Sequence, residues 1–231
     1  WHQNKQPVTQ NLLQQMNERL LHRGPDGAGY HLDAAVGLAM RRLSIIDVAG
    51  SDQPLFNEDR SLAVVFNGEI YNYRALRHNL QQQGHRFHTE GDGETIVHLY
   101  EQYGLDAPTH LRGQFALALW DSREQRLLLA RDRFGQKPLY YYHDSEIFVF
   151  ASEIKALLHH PQVPCRSAFE GDAGTQTLAL YLSYGAMPYP QTAFEGIQQL
   201  PPGYVLWLDA DGRITQQPYW ELPELAPVSA G

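Results

Sequence analysis

The hydrophobic pattern changes period several times along the chain, and each change marks an element. Leu12, Leu13, Met16, Leu20 and Leu21 recur at helical spacing and gather on one face, which predicts an amphipathic helix over Thr9 to Leu21. It ends at His22-Arg23-Gly24-Pro25-Asp26-Gly27, where Gly24 suits a C-terminal cap and Pro25 cannot extend a helix. Val36, Leu38 and Met40 alternate with smaller residues, as in a strand, and lead into Arg41-Arg42-Leu43-Ser44-Ile45-Ile46-Asp47. Leu62 to Phe66 has the length and β-branched content of a buried strand, and it stops abruptly at Asn67-Gly68-Glu69. Asn72 can cap a helix that runs through Leu80 and ends near Gly84. A second helical run covers Thr95 to Tyr103, with Asp92 between two glycines as a candidate cap.

From Gly113 to Ala151 the period shortens to that of strands. Phe115–Trp120, Arg126–Ala130, Leu139–Tyr142 and Ile147–Phe150 are separated by turn residues such as Asp144-Ser145, which predicts antiparallel meanders in packed sheets. Ser152 then caps a helix to Leu158. Helices, then sheets, then a helix suit an α+β fold with a two-sheet core and helices outside. Residues 161–173 have the mixed polar texture of a linker, and 174–231 reads as the start of a second domain. Within it, Gln176–Tyr184 is a helix candidate, and Tyr204–Leu208 and Ile214–Trp220 flank Asp209-Ala210-Asp211-Gly212, a hairpin signal. The tail from Pro223 carries no pattern.

Composition narrows the classes. With 43 % hydrophobic and 19 % charged residues, the 231-residue chain is of ordinary globular type. Its net charge of −8 argues against nucleic acid and anionic membrane as partners. No apolar run approaches the ~18 residues of a membrane span. The single cysteine, Cys165, excludes an internal disulfide framework and suits a reducing cytoplasm.

Three stretches carry candidate chemistry, each with a plain structural alternative. Asn67-Gly68 between apolar runs is a strong hairpin signal. It is also a pair of donors that can meet at one point, since Asn67 offers an amide N–H and Gly68 tolerates any φ; two such donors make an oxyanion hole. Arg42 among apolar residues is either a salt bridge at a strand end or a fork for a substrate carboxylate. Asp92 is either a helix cap or a carboxylate for a substrate ammonium, its glycine neighbours allowing close approach.

Read together, Arg23-Gly-Pro-Asp26, Arg42-Leu-Ser-Ile-Ile-Asp47, Phe66-Asn-Gly-Glu-Ile-Tyr-Asn72, Leu111-Arg-Gly-Gln-Phe-Ala116, Ala130-Arg-Asp-Arg-Phe-Gly135 with Lys137-Pro-Leu-Tyr140, and Phe150-Ala-Ser-Glu-Ile-Lys155 occur in one order. The set resembles the glutaminase domain of glutamine-hydrolysing asparagine synthetases, class II amidotransferases of the N-terminal-nucleophile type, over about residues 10–160. Phe66-Asn-Gly in place of His-Asn-Gly favours this branch over the phosphoribosyl and sugar-phosphate amidotransferases. Leu200-Pro-Pro-Gly203 and Tyr219-Trp220 look like the start of a synthetase domain.

The resemblance implies a four-layer αββα sandwich and gives the candidates roles. Arg42 would receive the α-carboxylate of glutamine, with backbone groups of Leu43, Ser44, Ile45 and Ile46 lining the pocket. Asn67 and Gly68 would form the oxyanion hole, and Glu69 and Asp92 would hold the α-ammonium. The pocket needs no metal or cofactor; ATP and magnesium would serve the parent protein's synthetase domain, which receives the ammonia and amidates aspartate. Oligomeric state is left open, with a homodimer as one arrangement.

The family nucleophile is a cysteine at residue one, whose own α-amine is the base. Here Trp1 leads and Cys165 lies in the linker. The expectation is that a short first strand carrying the nucleophile is missing from this chain. The family's Ser-Gly-Gly-x-Asp-Ser loop for ATP is also absent. The chain alone is therefore expected to be inactive. The alternatives are a non-catalytic glutamine-binding or structural module, and an amidotransferase for another acceptor, such as a β-lactam precursor or an exopolysaccharide sugar.

Overall fold

The structure, a computed structural model, describes residues 1, 7–34, 36–43 and 52–223. In chain order it contains α1 (Gln10–Glu18), β1 (Gly27–Asp33), β2 (Val36–Arg42), β3 (Leu55–Phe56), β4 (Leu62–Ile70), α2 (Tyr73–Gln82), α3 (Glu94–Tyr103), α4 (Ala107–His110), β5 (Gly113–Asp121), β6 (Arg126–Arg131), β7 (Tyr140–His143), β8 (Phe148–Ala151), α5 (Ile154–Leu157), α6 (Gly171–Tyr184), β9 (Gln198–Gln199), β10 (Tyr204–Leu208) and β11 (Ile214–Pro218). A six-stranded antiparallel sheet has the order β11-β10-β6-β5-β4-β3. Facing it are the β1-β2 pair and a three-stranded sheet ordered β8-β7-β9.

The period-two pattern of β4 and β5 explains the layering. Leu62, Val64, Phe66 and Ile70 point to one face of the large sheet and pack with Leu117 and Leu119 against Leu80 of α2 and Ile96, Val97, Leu99 and Tyr100 of α3. Ala63 and Val65 point the other way and, with Ala116, Ala118 and Trp120, meet Val36 and Leu38 of β2 and Tyr141 and Phe148 of the small sheet. The far side of that sheet, through Val149 and Ala151, packs on Ala156 and Leu157 of α5, with Met16 and Leu20 against them. Helix, sheet, sheet and helix are the four layers expected. A strand buried on both faces reads as a continuous apolar run, which is why Leu62 to Phe66 shows no alternation.

Several local expectations change. Asn67-Gly68 is not a turn: β4 continues to Ile70, and Gly68 sits opposite Phe115 of β5. Asn72 precedes α2 without capping it; its side chain instead accepts from Arg112 N and donates to His110 O, both at 2.9 Å. Glu153, not Ser152, precedes α5, and no side chain caps it. The first helix closes at Glu18 and is followed by a 3₁₀ turn at Leu21–Arg23. Strands from both sides of residues 161–173 share sheets, since β10 pairs with β6 and β9 with β7. The β10–β11 hairpin forms as expected, with Leu208 opposite Ile214. Among the described residues, no helix is long and apolar enough to cross a membrane.

Candidate active site

Where β2 and β4 run past the apolar contacts of the central layer, a cavity of about 470 Å³ opens. Strand parity places its polar residues. Val36, Leu38 and Met40 face the central core, so Arg42 emerges on the same face at the strand end. Ala63 and Val65 do the same in β4, so Asn67 and Glu69 follow on that face. Asp92 comes from the loop before α3. Arg42, Leu43, Asn67, Gly68, Glu69 and Asp92 line this one cavity together. Ser44, Ile45 and Ile46 lie outside the described residues.

Arg42 donates from Nη1 to Asp52 Oδ1 at 2.6 Å. The Arg42 side chain is 12 % exposed and that of Asp52 89 % exposed, so the guanidinium is held in the protein while the carboxylate it meets stands at the solvent edge. The side-chain Nδ2 of Asn67 is buried and has no hydrogen-bond partner among the described residues. Leaving such a donor unmet costs about 1–3 kcal/mol, and the cost is recovered when an oxygen is placed before it. Gly68 has φ +150°, and a Cβ there would fall 2.0 Å from Gln114 O. Only glycine fits where β4 crosses β5 this closely.

Asp92 does not cap α3. Its carboxylate accepts from Ile70 N at 2.7 Å, which ties the loop to the end of β4. Burial pushes the Asp92 carboxyl above its ordinary range, more than the Ile70 N–H lowers it, and the nearby Glu69 charge adds to the rise. The loop itself is shaped by Glu94, whose carboxylate accepts from His88 N at 2.7 Å and Thr89 N at 2.6 Å. Gly93 lets the turn into α3 press on Phe66 and Leu55, since a Cβ there would lie 2.3 Å from the Phe66 ring.

Arg41, Gln53, Gln114 and Lys137 also line the cavity. The side chain of Gln53 donates to Phe66 O at 3.0 Å and accepts from Phe66 N at 2.7 Å, acting as a one-residue strand on β4. Nothing local in the sequence marks Gln53, because its partner is reached only after folding. Cys165 is exposed and does not line the cavity.

A family model described as a glutamine amidotransferase domain matches residues 1–220. The chain is 40 % identical over 223 residues to glutamine-hydrolyzing asparagine synthetase 1 of Bacillus subtilis (strain 168), across 94 % of this chain and 34 % of that protein. It is 47 % identical over 145 residues to glutamine-hydrolyzing asparagine synthetase 3 of Arabidopsis thaliana, across 62 % of this chain and 25 % of that protein. The chain thus spans about a third or less of these relatives. In fold it is similar to the glutamine phosphoribosylpyrophosphate amidotransferase from B. subtilis complexed with ADP and GMP. The TM-score is 0.65 at 18 % identity, over 93 % of this chain and 48 % of that one.

Proposed function

The chain belongs to the glutamine amidotransferase domain family, and from this we propose that its cavity binds glutamine and assists release of ammonia from the side-chain amide. The observation that carries the reading is one cavity lined by Arg42, Asn67, Gly68, Glu69 and Asp92, with Asn67 Nδ2 buried and unpartnered among the described residues. An amino acid zwitterion needs a donor fork at one end and carboxylates at the other. Arg42 supplies the first, with the backbone at Leu43 and, by resemblance, at Ser44, Ile45 and Ile46. Glu69 and Asp92 supply the second. Asn67 and Gly68 then face the oxygen of the amide under attack.

In the reaction a thiolate adds to the amide carbon and the carbonyl oxygen becomes an oxyanion, held by donors already in place. Ammonia leaves with a proton, and water hydrolyses the thioester to glutamate. The nucleophile is the cysteine that the resemblance places at residue one of the mature family chain; exposed Cys165 does not reach the cavity. In the parent protein the ammonia would pass to a synthetase domain and amidate aspartate, with ATP and magnesium serving that step. The names of the 40 % and 47 % identical relatives support this acceptor.

Arg42→Ala in the full-length protein should raise KM for glutamine roughly 10- to 100-fold, the worth of a charge-assisted fork. Activity with ammonia as nitrogen donor should be unchanged, which separates pocket damage from misfolding. An unchanged KM for glutamine would remove Arg42 from its role.

The raised Asp92 carboxyl gives a pH dependence. Below its pKa the group is neutral and no longer attracts the ammonium; above it, the charge is present. Glutamine kcat/KM should therefore fall as pH drops, beginning at a higher pH than an ordinary aspartate would set. The bound ammonium favours the charged form, so kcat at saturation should show the acid limb at lower pH. In Asp92→Asn, kcat/KM should be low at every pH with that limb removed. A limb of the same midpoint in the variant would assign it elsewhere.

A further inference from the structure

On the side of α3 away from its first turn, four side chains converge that the proposed reaction does not use: Glu58, His85, His98 and Glu101. They come from the loop after β3, the loop after α2, and two positions one turn apart on α3. One ligand atom from each lies within 4.8 Å of the other three. We propose that this cluster is a structural site for one divalent transition-metal ion of the zinc type.

The distances carry the assignment. Glu101 Oε2 is 3.2 Å from His98 Nδ1 and 3.3 Å from His85 Nδ1, and Glu58 Oε2 is 3.6 Å from His98 Nδ1. A tetrahedral zinc ion with bonds of about 2.0–2.1 Å spaces its donors about 3.3–3.4 Å apart. Two imidazoles and two carboxylates also match its preference for nitrogen and oxygen donors.

The opposite atom of three ligands is held so that the right one faces inward. Glu58 Oε1 accepts from Arg86 N at 2.8 Å, and Glu101 Oε1 accepts from Asn57 Nδ2 at 2.9 Å. His98 is fully buried, and its Nε2 has no hydrogen-bond partner among the described residues, with Glu94 Oε1 3.6 Å away. With a metal on Nδ1, the ring proton belongs on Nε2, where the Glu94 carboxylate waits to receive it; ligating histidines are commonly oriented in this way. The arrangement also explains why two imidazoles, with ring centres 5.1 Å apart, aim at the same carboxylate oxygen. Glu58, 35 % exposed, leaves an entry path.

The test uses the full-length protein without an affinity tag, loaded with zinc and desalted, beside a Glu58→Gln/His85→Gln double variant. Both substituted residues stand outside the glutamine cavity, and His98 is left in place because its buried ring packs on Phe87. One zinc per chain by elemental analysis is expected, lost in the double variant. Cobalt should give the intense visible bands of four-coordinate geometry. Free zinc at a hundred times its Kd should raise Tm by roughly 5–10 °C in the wild type and leave the double variant unmoved. No retained zinc, equal retention by the double variant, or a six-coordinate cobalt spectrum would each overturn the proposal.

Discussion

Asn67→Ala in the full-length protein is expected to lower kcat for glutamine hydrolysis by roughly 10²–10³-fold and to leave KM for glutamine within about twofold. The argument rests on when the donor is used. Nδ2 of Asn67 is buried and unpartnered among the described residues, so it adds no hydrogen bond to the resting fold. Its interaction is made as charge develops on the amide oxygen, and an interaction gained only in the transition state appears in kcat. Removing an unmet donor should not destabilise the protein, so Tm should stay the same or rise slightly. Asn67→Asp should be worse than alanine, because it sets a carboxylate against an oxyanion. Synthesis from ammonia should survive in both. A raised KM with kcat intact would make Asn67 a ground-state binding residue and end its oxyanion role.

The same residue shows what the sequence discloses and what it hides. Asn67-Gly68 has the local chemistry of a hairpin, and the physics of φ alone favours one. The structure keeps it inside β4 because Gly68 is paired with Phe115, 47 residues on. Such a pairing decides the outcome only after the chain has closed. The long runs in β4, β5 and β6 were legible because burial on both faces demands continuous apolar residues. β1 was not, since Gly27 to Asp33 is half-buried at most positions and shows no clean alternation. Arg42 was legible only as a candidate at the end of the Val36-Leu38-Met40 strand, and its direction follows once those residues are placed against the central core. The Glu94 bonds that shape the loop are local, but the inward turn of Asp92 also depends on Ile70 N–H, 22 residues earlier in the chain, and that contact has no local signal. The cluster at His85 and His98 draws on separated segments and has no compact spacing to read.

The largest loss of stability is expected at a residue whose motif was visible but whose work was not, Asp132. Its side chain is fully buried, and its carboxylate accepts from four backbone N–H groups: Phe115 at 3.2 Å, Phe134 at 3.1 Å, Gln136 at 3.0 Å and Lys137 at 3.1 Å. One carboxylate thus folds the loop after β6 onto β5. Bonds to a charged acceptor contribute about 1.5–3 kcal/mol each, but water can reach part of this loop and replace some of them. Phe134, for one, is 67 % exposed. The loop also keeps a second fastener, because the Arg131 guanidinium donates to the carbonyls of Lys137, Leu200 and Gly135 at 2.6–2.7 Å. Asp132→Ala should therefore cost about 3–5 kcal/mol rather than the full sum, and lower Tm by roughly 10 °C. Asp132→Asn should be little better, since its amide group would point donors at donors. Arg123→Ala, at an exposed pair 3.9 Å from Asp59, should cost less than about 0.5 kcal/mol and serves as the control. Because Lys137 lines the cavity, kcat/KM for glutamine should fall in Asp132→Ala even below its lowered Tm. An Asp132→Ala protein melting within about 2 °C of wild type would show that water, not the carboxylate, can satisfy this loop.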